Sequence, residues 1–277
     1  MRGNFLLVPL LALCFAQCTK RVSGQSVTMP AEMTCQQAPD STDAADSIPQ
    51  GAAILMRVYP QQVVGYEDNS LLMADGTRIV YDDGLNKDFE TMLDNSDAED
   101  MFSMTYDRQS DQPAYLADAG RSRCESLFKS MYGHSATQVQ QKFTTVEWFG
   151  QRLKFTAVNG AADSLRAVAA EMGRHPELTK YLKQASTFYW RAVRGAKRQS
   201  AHSYGIAIDV NTSYSNYWLW TNPGAKETDR LKYENRMPQQ VVEIFERHGF
   251  IWGGRWYHYD TMHFEFRPEF LVPSGQL

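Results

Sequence analysis

Two short segments of the 277-residue sequence carry the side chains that could do chemistry. The first spans residues 200–210 and holds His202 and Asp209, and the second spans residues 260–266 and holds His263. Imidazole and carboxylate groups are ligands that Zn²⁺ accepts, and three protein ligands leave a fourth position for water, whose pKa then falls toward neutrality. These three residues are therefore predicted to bind a zinc ion at which hydrolysis takes place.

Hydrolysis of this kind also requires a base for the proton of water and a positive charge near the carbonyl oxygen. Asp260 precedes His263 by three residues, which places a carboxylate near the metal without the need to bind it. Arg191, at the end of residues 188–191, offers a guanidinium just upstream of the first segment. We predict that Asp260 is the base and that Arg191 polarises the carbonyl group.

The elements that carry these side chains are predicted to be two β-strands, because both segments alternate between apolar and polar residues with a period of two. The residues predicted to face the core are Ile206, Ile208 and Val210 in the first segment and Met262, Phe264 and Phe266 in the second. Asp209 then lies on the opposite face beside Ala207, and His263 shares its face with Glu265. The two strands therefore present carboxylate and imidazole groups on matching faces.

Periodicity elsewhere predicts a mixture of helices and strands. The predicted elements are a hairpin over residues 72–80, helical pieces between 89 and 102, a strand over 153–158, a helix through 165–172 and a helix from 238 to 249. Asp75-Gly76 supplies the hairpin turn, and Asp163 or Ser164 is the expected cap of the first long helix. Because strands and helices occur in separate runs, we predict an α+β fold with an antiparallel sheet that carries the zinc site, flanking helices and a small N-terminal subregion.

The overall composition excludes some classes of function. With 43% hydrophobic and 22% charged residues, the chain is typical of a globular protein rather than of a disordered or multi-span membrane protein. The net charge of -4 provides no positive field to attract phosphate groups, so nucleic acid is not an expected partner.

Together the two segments resemble the signature of the zinc D-alanyl-D-alanine carboxypeptidase and L-alanyl-D-glutamate endopeptidase family. That signature is Ser-x-His-x-x-Gly-x-Ala-x-Asp, followed much later by Asp or Glu, two residues and His. The matching residues here are Ser200, His202, Gly205, Ala207 and Asp209 in the first half and Asp260 and His263 in the second. Residues 250–256 also resemble the Gly-Phe-x-Trp-Gly-Gly-x-Trp stretch of the endopeptidase branch, which includes phage endolysins, and the likeness covers residues 188–268.

The resemblance implies a cofactor, a substrate and a role for each site residue. It implies Zn²⁺ bound by His202, Asp209 and His263, with Asp260 as the base. It further implies that Arg191 polarises the carbonyl group and that Ser200 helps to hold the substrate. The substrates of the family are peptidoglycan stem peptides, which its members cut at bonds next to D-amino acids.

Three readings of the function are compatible with the sequence. Asp260, where carboxypeptidase members more often have Glu, and the Trp-Gly-Gly-x-Trp stretch favour endopeptidase cleavage between L-Ala and D-Glu. D,D-carboxypeptidase activity on terminal D-Ala-D-Ala is the alternative. A zinc-bearing cell-wall binding module without turnover is the alternative of another class, but a base and an oxyanion partner would then serve no purpose.

The N-terminus has the order of charged and apolar residues that is typical of a secretory signal peptide. Arg2 precedes an apolar run over residues 5–15, which is too short to span a bilayer comfortably. We therefore expect an exported monomer of the periplasm or cell envelope without a membrane span after signal removal; a lipid anchor on Cys18 is possible. The predicted organisation is a signal peptide over 1–24, a flexible linker over 25–50, an N-terminal subregion over 51–115 and a zinc peptidase domain over 116–277.

A few residues outside the two segments also carry predictions. An oxidising compartment would favour a disulfide between Cys35 and Cys124, with two free thiols as the alternative. Residues 118–121, Asp-Ala-Gly-Arg, resemble a motif of longer bacterial members of the family, and their role is open. The remaining histidines are assigned to the surface or to structure, namely His134, His175, His248 and His258. Of these, His258 is close enough to Asp260 in sequence to line the cleft.

Overall fold

The computed structural model describes residues 47–193 and 195–272, which form eight α-helices and eight β-strands. The helices are α1 (Gln50–Val58), α2 (Phe89–Asp94), α3 (Glu125–Tyr132), α4 (Ala136–Gln140), α5 (Ala161–Met172), α6 (Thr179–Leu182), α7 (Trp218–Thr221) and α8 (Gln239–Arg247). The strands are β1 (Val63–Glu67), β2 (Ser70–Met73), β3 (Arg78–Val80), β4 (Phe143–Trp148), β5 (Gln151–Thr156), β6 (Ala207–Asp209), β7 (Phe250–Trp252) and β8 (His263–Phe266). Within these ranges, helices and antiparallel strands together confirm the predicted α+β class.

The strands form three antiparallel sheets, of which the third positions the candidate site. β1, β2 and β3 form a meander, β4 and β5 form a hairpin, and β8 lies between β6 and β7. The predicted hairpin over residues 72–80 is confirmed by the pairing of β2 with β3, and Gly76 takes the positive φ of 85° that its turn requires. Both strands predicted from the chemistry-bearing segments are present, although β6 has only three residues.

Apolar side chains from α5, α8 and the third sheet share one hydrophobic core. Val241, Val242 and Phe245 of α8 are fully buried, and the Phe245 ring stacks on Phe264 of β8 at 3.9 Å between ring centroids. Leu55 of α1 belongs to the same cluster, so residues 51–115 and the later part of the chain contribute to a common interior. The Tyr59 hydroxyl, which donates to Glu269 at 2.5 Å, joins these two parts directly.

The start of α5 differs from the prediction. The helix begins at Ala161, before the predicted caps Asp163 and Ser164, and its N-cap is Gly160. Asn159 and Gly160 both have positive φ angles, of 56° and 74°, so the backbone reverses there and allows an earlier start. Asp163 therefore lies in the first turn of the helix, where its negative charge interacts favourably with the positive end of the helix dipole.

Some predictions fall outside the described residues. These include the signal peptide, Cys18, Cys35 and most of the linker, whose last residue Gln50 begins α1. Cys124 is buried and has no disulfide partner among the described residues, its thiol lies 3.2 Å from the Ser126 hydroxyl, and a bridge to Cys35 stays a prediction. In the part of the chain that the structure describes, no helix has the combined length and apolar character that a bilayer crossing requires.

Candidate metal centre and cleft

The pairing of β6 with β8 brings two of the predicted ligands together. Asp209 lies directly opposite His263 in the antiparallel register, and residues opposed in this way project their side chains to the same face. The core-facing residues Ile208 and Phe264 pair at the next position and are fully buried. The alternation of the two strands therefore places both ligand candidates on one face, as the sequence predicts.

His202 reaches the same point from a 3₁₀-helix, Ala201–Tyr204, that leads into β6. Gly205 ends this helix with a φ of 68°, and its N–H donates to the His202 carbonyl at 3.1 Å. A Cβ atom at this position would lie 2.3 Å from the Phe143 ring, so the turn requires glycine on both steric and conformational grounds.

The ligand atoms of the three residues form a small triangle. His263 Nδ1 lies 3.0 Å from Asp209 Oδ1, and His202 Nε2 lies 3.2 Å from each of these atoms. Ligand atoms that share one zinc ion, each at about 2.0–2.1 Å, have separations of this size. We refer to His202, Asp209 and His263 as the candidate metal centre.

The second nitrogen of each imidazole shows that the centre fits a cation. His202 Nδ1 lies 2.5 Å from the Thr187 carbonyl oxygen, and His263 Nε2 lies 3.1 Å from a carboxylate oxygen of Glu265. The Thr187 carbonyl oxygen can only accept a hydrogen bond, and the Glu265 carboxylate can only accept one when it is ionised. His202 Nδ1 and His263 Nε2 therefore carry the hydrogens of these two bonds. In the neutral imidazoles, the other two nitrogens then point lone pairs at Asp209, an arrangement that needs a positive ion and is typical of metal-binding histidines.

The charges around the centre agree with this conclusion. Burial raises the pKa of Asp209, but His202 and His263 lower it by more, so that it lies well below the usual value. Burial lowers the pKa of His263, but Asp209 and Glu265 raise it to about 10. A positive charge is therefore favoured at the point where the three side chains meet: a proton on His263 supplies it without a metal, and a bound cation would replace that proton.

Glu265 is a further functional candidate. The alternation of residues predicted that it shares a face with His263, but no function was predicted for it. It is fully buried, and its carboxylate lies 2.9 Å from Arg267 and 3.6 Å from Arg123. Burial raises its pKa, but Arg123, His263 and Arg267 lower it to about 2. An ionised Glu265 can thus hold the orientation of the His263 ring.

Asp260 lies beside the candidate metal centre with one carboxylate oxygen unused. Among the described residues, Oδ1 of Asp260 is buried and has no hydrogen-bond partner. Burial and the negative charge of Asp209 raise the pKa of Asp260 to about 7, against the opposing effect of His263 and His202. A carboxylate with this pKa can accept a proton near neutral pH.

Arg191 and Ser200 lie together at the rim of the same cleft. Ala192 pairs with Gln199 in an antiparallel bridge, and the Ser200 N–H donates to the Arg191 carbonyl at 3.1 Å. The Arg191 side chain is exposed and donates to the Ala192 carbonyl at 3.3 Å. No acidic partner of its guanidinium occurs among the described residues, so the group is available to a substrate.

The cleft that contains these groups has a volume of about 560 Å³. All six predicted site residues line it or lie within it, together with aromatic side chains that include Tyr217, Trp218, Trp220 and Trp256. A larger cavity of about 930 Å³, beside residues 103–117, contains none of the predicted site residues. The smaller cleft is therefore the candidate functional site.

His258 is buried and structural, although it also borders the cleft. Its Nδ1 bonds to Asp118 at 2.5 Å, and its ring contacts Trp218 edge-on at 4.7 Å between centroids. Asp118, Glu227 and His258 lie close enough to hold a metal, but Arg121 already binds both carboxylates at 2.6–3.2 Å. The Asp-Ala-Gly-Arg motif thus forms a buried ion-pair network, and His134, His175 and His248 do not line the cleft.

A family model supports the resemblance on which these site residues were predicted. Residues 194–266 match the family described as D-alanyl-D-alanine carboxypeptidase. The matched residues include all three residues of the candidate metal centre and Asp260 but not Arg191. The match supports a peptidoglycan metallopeptidase, and it does not distinguish carboxypeptidase from endopeptidase members. No curated protein and no solved structure shows a significant match to the chain.

Proposed function

We propose that the protein is a zinc-dependent peptidase that hydrolyses peptidoglycan stem peptides at bonds next to D-amino acids. The observation that carries this proposal is the convergence of one ring nitrogen each of His202 and His263 with a carboxylate oxygen of Asp209, while Thr187 and Glu265 hold the other ring nitrogens. The family match over residues 194–266 supports the substrate class. Such a substrate implies action outside the cytoplasm, in agreement with the predicted export to the periplasm or cell envelope.

Each side chain of the cleft has a part in the proposed reaction. When bound, zinc would polarise the scissile carbonyl and lower the pKa of water. Asp260 accepts the proton of the attacking water and passes it to the leaving amine, which its pKa near neutrality allows. Arg191 stabilises the negative charge that develops on the carbonyl oxygen, and Ser200 orients the substrate backbone beside it.

Endopeptidase cleavage between L-Ala and D-Glu is the preferred form of the activity, and D,D-carboxypeptidase cleavage is the second candidate. The Trp-Gly-Gly-x-Trp stretch favours the first, and the description of the matching family favours the second. A binding module without turnover is disfavoured because Asp260 and Arg191 both lie in the cleft, where a purely structural metal would need neither.

A digest of a defined stem pentapeptide by the purified protein tests the proposal. Release of the L-Ala end indicates endopeptidase activity, and loss of one D-Ala indicates carboxypeptidase activity. We expect a chelator to abolish cleavage and added Zn²⁺ to restore it. His263→Ala should lose both zinc and activity, whereas His134→Ala, at an exposed position, should keep both. Cleavage by metal-free protein would contradict the proposal.

A further inference from the structure

Two arginines in the wall of the cleft have no part in the reaction described above. Arg123 and Arg198 are each only 6% exposed, and both line the cleft beside the candidate metal centre. They come from distant parts of the sequence, since Arg123 precedes α3 and Arg198 precedes Gln199, which pairs with Ala192. Burial of a positive charge is unfavourable without a negative partner, and Glu265 provides one for Arg123 and Asp94 one for Arg198.

Each of these guanidinium groups has a donor without an acceptor. Arg123 donates to the carbonyls of Gly120, at 2.7 Å, and Gln199, at 3.2 Å, and Arg198 forms an ion pair with Asp94. In the described ranges, however, Nε of both arginines is buried and has no hydrogen-bond partner. Because unpaired buried donors are rare, these atoms indicate an acceptor in addition to those that the described residues provide, and the adjoining cleft is where one could bind.

The neighbouring Arg121 provides a contrast. It also lines the cleft, but its guanidinium binds Asp118 at 2.6 Å and Glu227 through both terminal nitrogens. Its charge is therefore compensated within the protein, and it adds to the positive field around Arg198 without offering the same free donor. Among the described arginines that line the cleft, the buried donors without an acceptor belong to Arg123 and Arg198, and Nε1 of Trp256 is a further such donor in the same lining.

Charge repulsion among the buried arginines also favours a bound anion. Burial lowers the pKa of Arg123 to about 10, and the charges of Arg267 and Arg198 add to this effect against the opposing influence of Glu265. Burial and the charge of Arg121 also lower the pKa of Arg198. An anion bound between Arg123 and Arg198 would relieve both the repulsion and the missing hydrogen bonds.

The position of the pair relates this anion to the scissile bond. Arg123 lies 3.6 Å from Glu265, which bonds to His263 of the candidate metal centre. The backbone of Arg198 lies beside Val193, two residues from Arg191, because the Arg198 carbonyl accepts from the Val193 N–H at 2.9 Å. A substrate whose carbonyl lies between the metal centre and Arg191 therefore occupies the same cleft as the two arginines.

We propose that Arg123 and Arg198 form a carboxylate-binding subsite that recognises a free carboxylate on the residue that follows the scissile bond. The inference rests on the proposed function. In a stem peptide two groups provide this chemistry: the α-carboxylate of D-glutamate linked onward through its γ-carboxylate, and the terminal carboxylate of D-Ala-D-Ala. Both arginines are specificity-determining residues, and each donates from Nε to the substrate carboxylate.

Matched pairs of peptides test the subsite. One pair contains L-Ala-γ-D-Glu with its α-carboxylate free or amidated, and the other ends in D-Ala-D-Ala as the free acid or the amide. The zinc-loaded protein should cleave one free acid with a kcat/KM about tenfold or more above that of its amide, and the pair that shows this preference identifies the source of the carboxylate.

Variants then assign the preference to the arginines. Arg198→Gln should raise KM for the free acid and reduce the preference to about threefold or less, with little change for the amide. Arg198→Lys should restore part of the preference, and Arg152→Gln, on the exposed β4–β5 hairpin, should leave it unchanged. An equal loss on acid and amide would show a purely structural role and would overturn the proposal.

A binding measurement separates the subsite from the proposed activity. Titration calorimetry compares γ-D-glutamyl-L-lysine, the product of L-Ala–D-Glu cleavage, with its α-amide, and D-alanine with its amide. Tighter binding of a free acid, abolished by Arg198→Gln, would support the subsite even if no peptide is cleaved, in which case the proposed function fails. Cleavage without discrimination between acid and amide in either experiment would overturn the subsite and leave the proposed function intact.

Discussion

At the scale of single residues, the partners of the two histidines decide which nitrogen of each ring faces Asp209. The Thr187 carbonyl leaves Nε2 of His202 directed at the centre, and Glu265 leaves Nδ1 of His263 directed at it. Such partners fix the tautomer and the orientation of a metal ligand before the metal binds. The centre therefore depends on two acceptors that are not ligands themselves.

Replacement of Glu265 by Gln tests this dependence. We expect the affinity for Zn²⁺ to fall about 10–100-fold, because an amide holds the His263 ring less firmly and donates less charge to it. The variant also leaves the buried Arg123 and Arg267 with less negative charge, so the free energy of unfolding should fall by about 3–5 kcal/mol. Competition with a chelator measures the affinity, and an unchanged value would show that Glu265 does not support the centre.

Asp260 permits a separate prediction at the same scale. Asp260→Asn removes the proposed base without adding bulk, so kcat should fall about 10²–10⁴-fold while the zinc content stays unchanged. The matched control is Asp111→Asn, at an exposed position outside the cleft, which should keep full activity. If Asp260→Asn cleaves stem peptides at the original rate, another group must be the base.

At the scale of elements, the Gly-Gly pair after β7 sets the position of Asp260. A Cβ atom on Gly253 would lie 2.6 Å from the Asp260 carbonyl oxygen, and one on Gly254 would lie 2.1 Å from the Trp252 ring. Asp260 in turn donates its N–H to the Gly253 carbonyl at 3.0 Å. The two glycines therefore allow the segment before β8 to pack closely against β7, which explains the Trp-Gly-Gly-x-Trp stretch in physical terms.

Gly253→Ala should consequently displace Asp260. Backbone atoms cannot yield as a flexible side chain can, so we expect kcat to fall about tenfold or more and the free energy of unfolding to fall by about 1–3 kcal/mol. Gly173→Ala is a suitable control, because its Cβ would meet a backbone oxygen at 3.3 Å and its φ is helical. Equal kinetics of both variants and the unmodified protein would contradict this role of Gly253.

At the scale of the whole molecule, a buried ion-pair network joins regions that are far apart in sequence. Asp118 binds His258 and Arg121, and Arg121 binds Glu227, so three segments meet beside the cleft. Burial raises the pKa of Asp118, but Arg121 and His258 lower it by more, to below its usual value of 3.8. Ionised Asp118 thus stabilises the fold.

The network predicts a dependence of stability on pH. Because the pKa of Asp118 is lower in the folded state, its contribution is present above about pH 4 and is lost as the pH falls through the folded value. Asp118→Asn should destabilise the protein by about 3 kcal/mol or more at pH 7, and the difference from the unmodified protein should shrink in acid. Denaturant unfolding from pH 2 to 7 measures this, with exposed Asp68→Asn as the control. A difference that is independent of pH would contradict the ion-pair role.

The agreement between sequence and structure is closest where a pattern depends on near neighbours. Alternation of apolar residues predicted β6 and β8 and the faces of Asp209 and His263, and the helix predicted from 238 to 249 corresponds to α8. The start of α5 was predicted incorrectly, because the polar residues Asp163 and Ser164 looked like caps while the positive φ of Gly160 decided the boundary. The spacing of apolar residues does not predict the backbone conformation of a single glycine.

By itself the sequence determined the type of centre, since the identities of His202, Asp209, His263 and Asp260 restrict the chemistry and their spacing resembles one family. Only the tertiary structure decided which groups support it. Thr187 and the arginine pair lie near the centre through contacts between separate segments, such as Arg123 with Glu265 and with Gln199. Such contacts arise from the packing of separate elements around a shared core, and no local pattern of residue types encodes them.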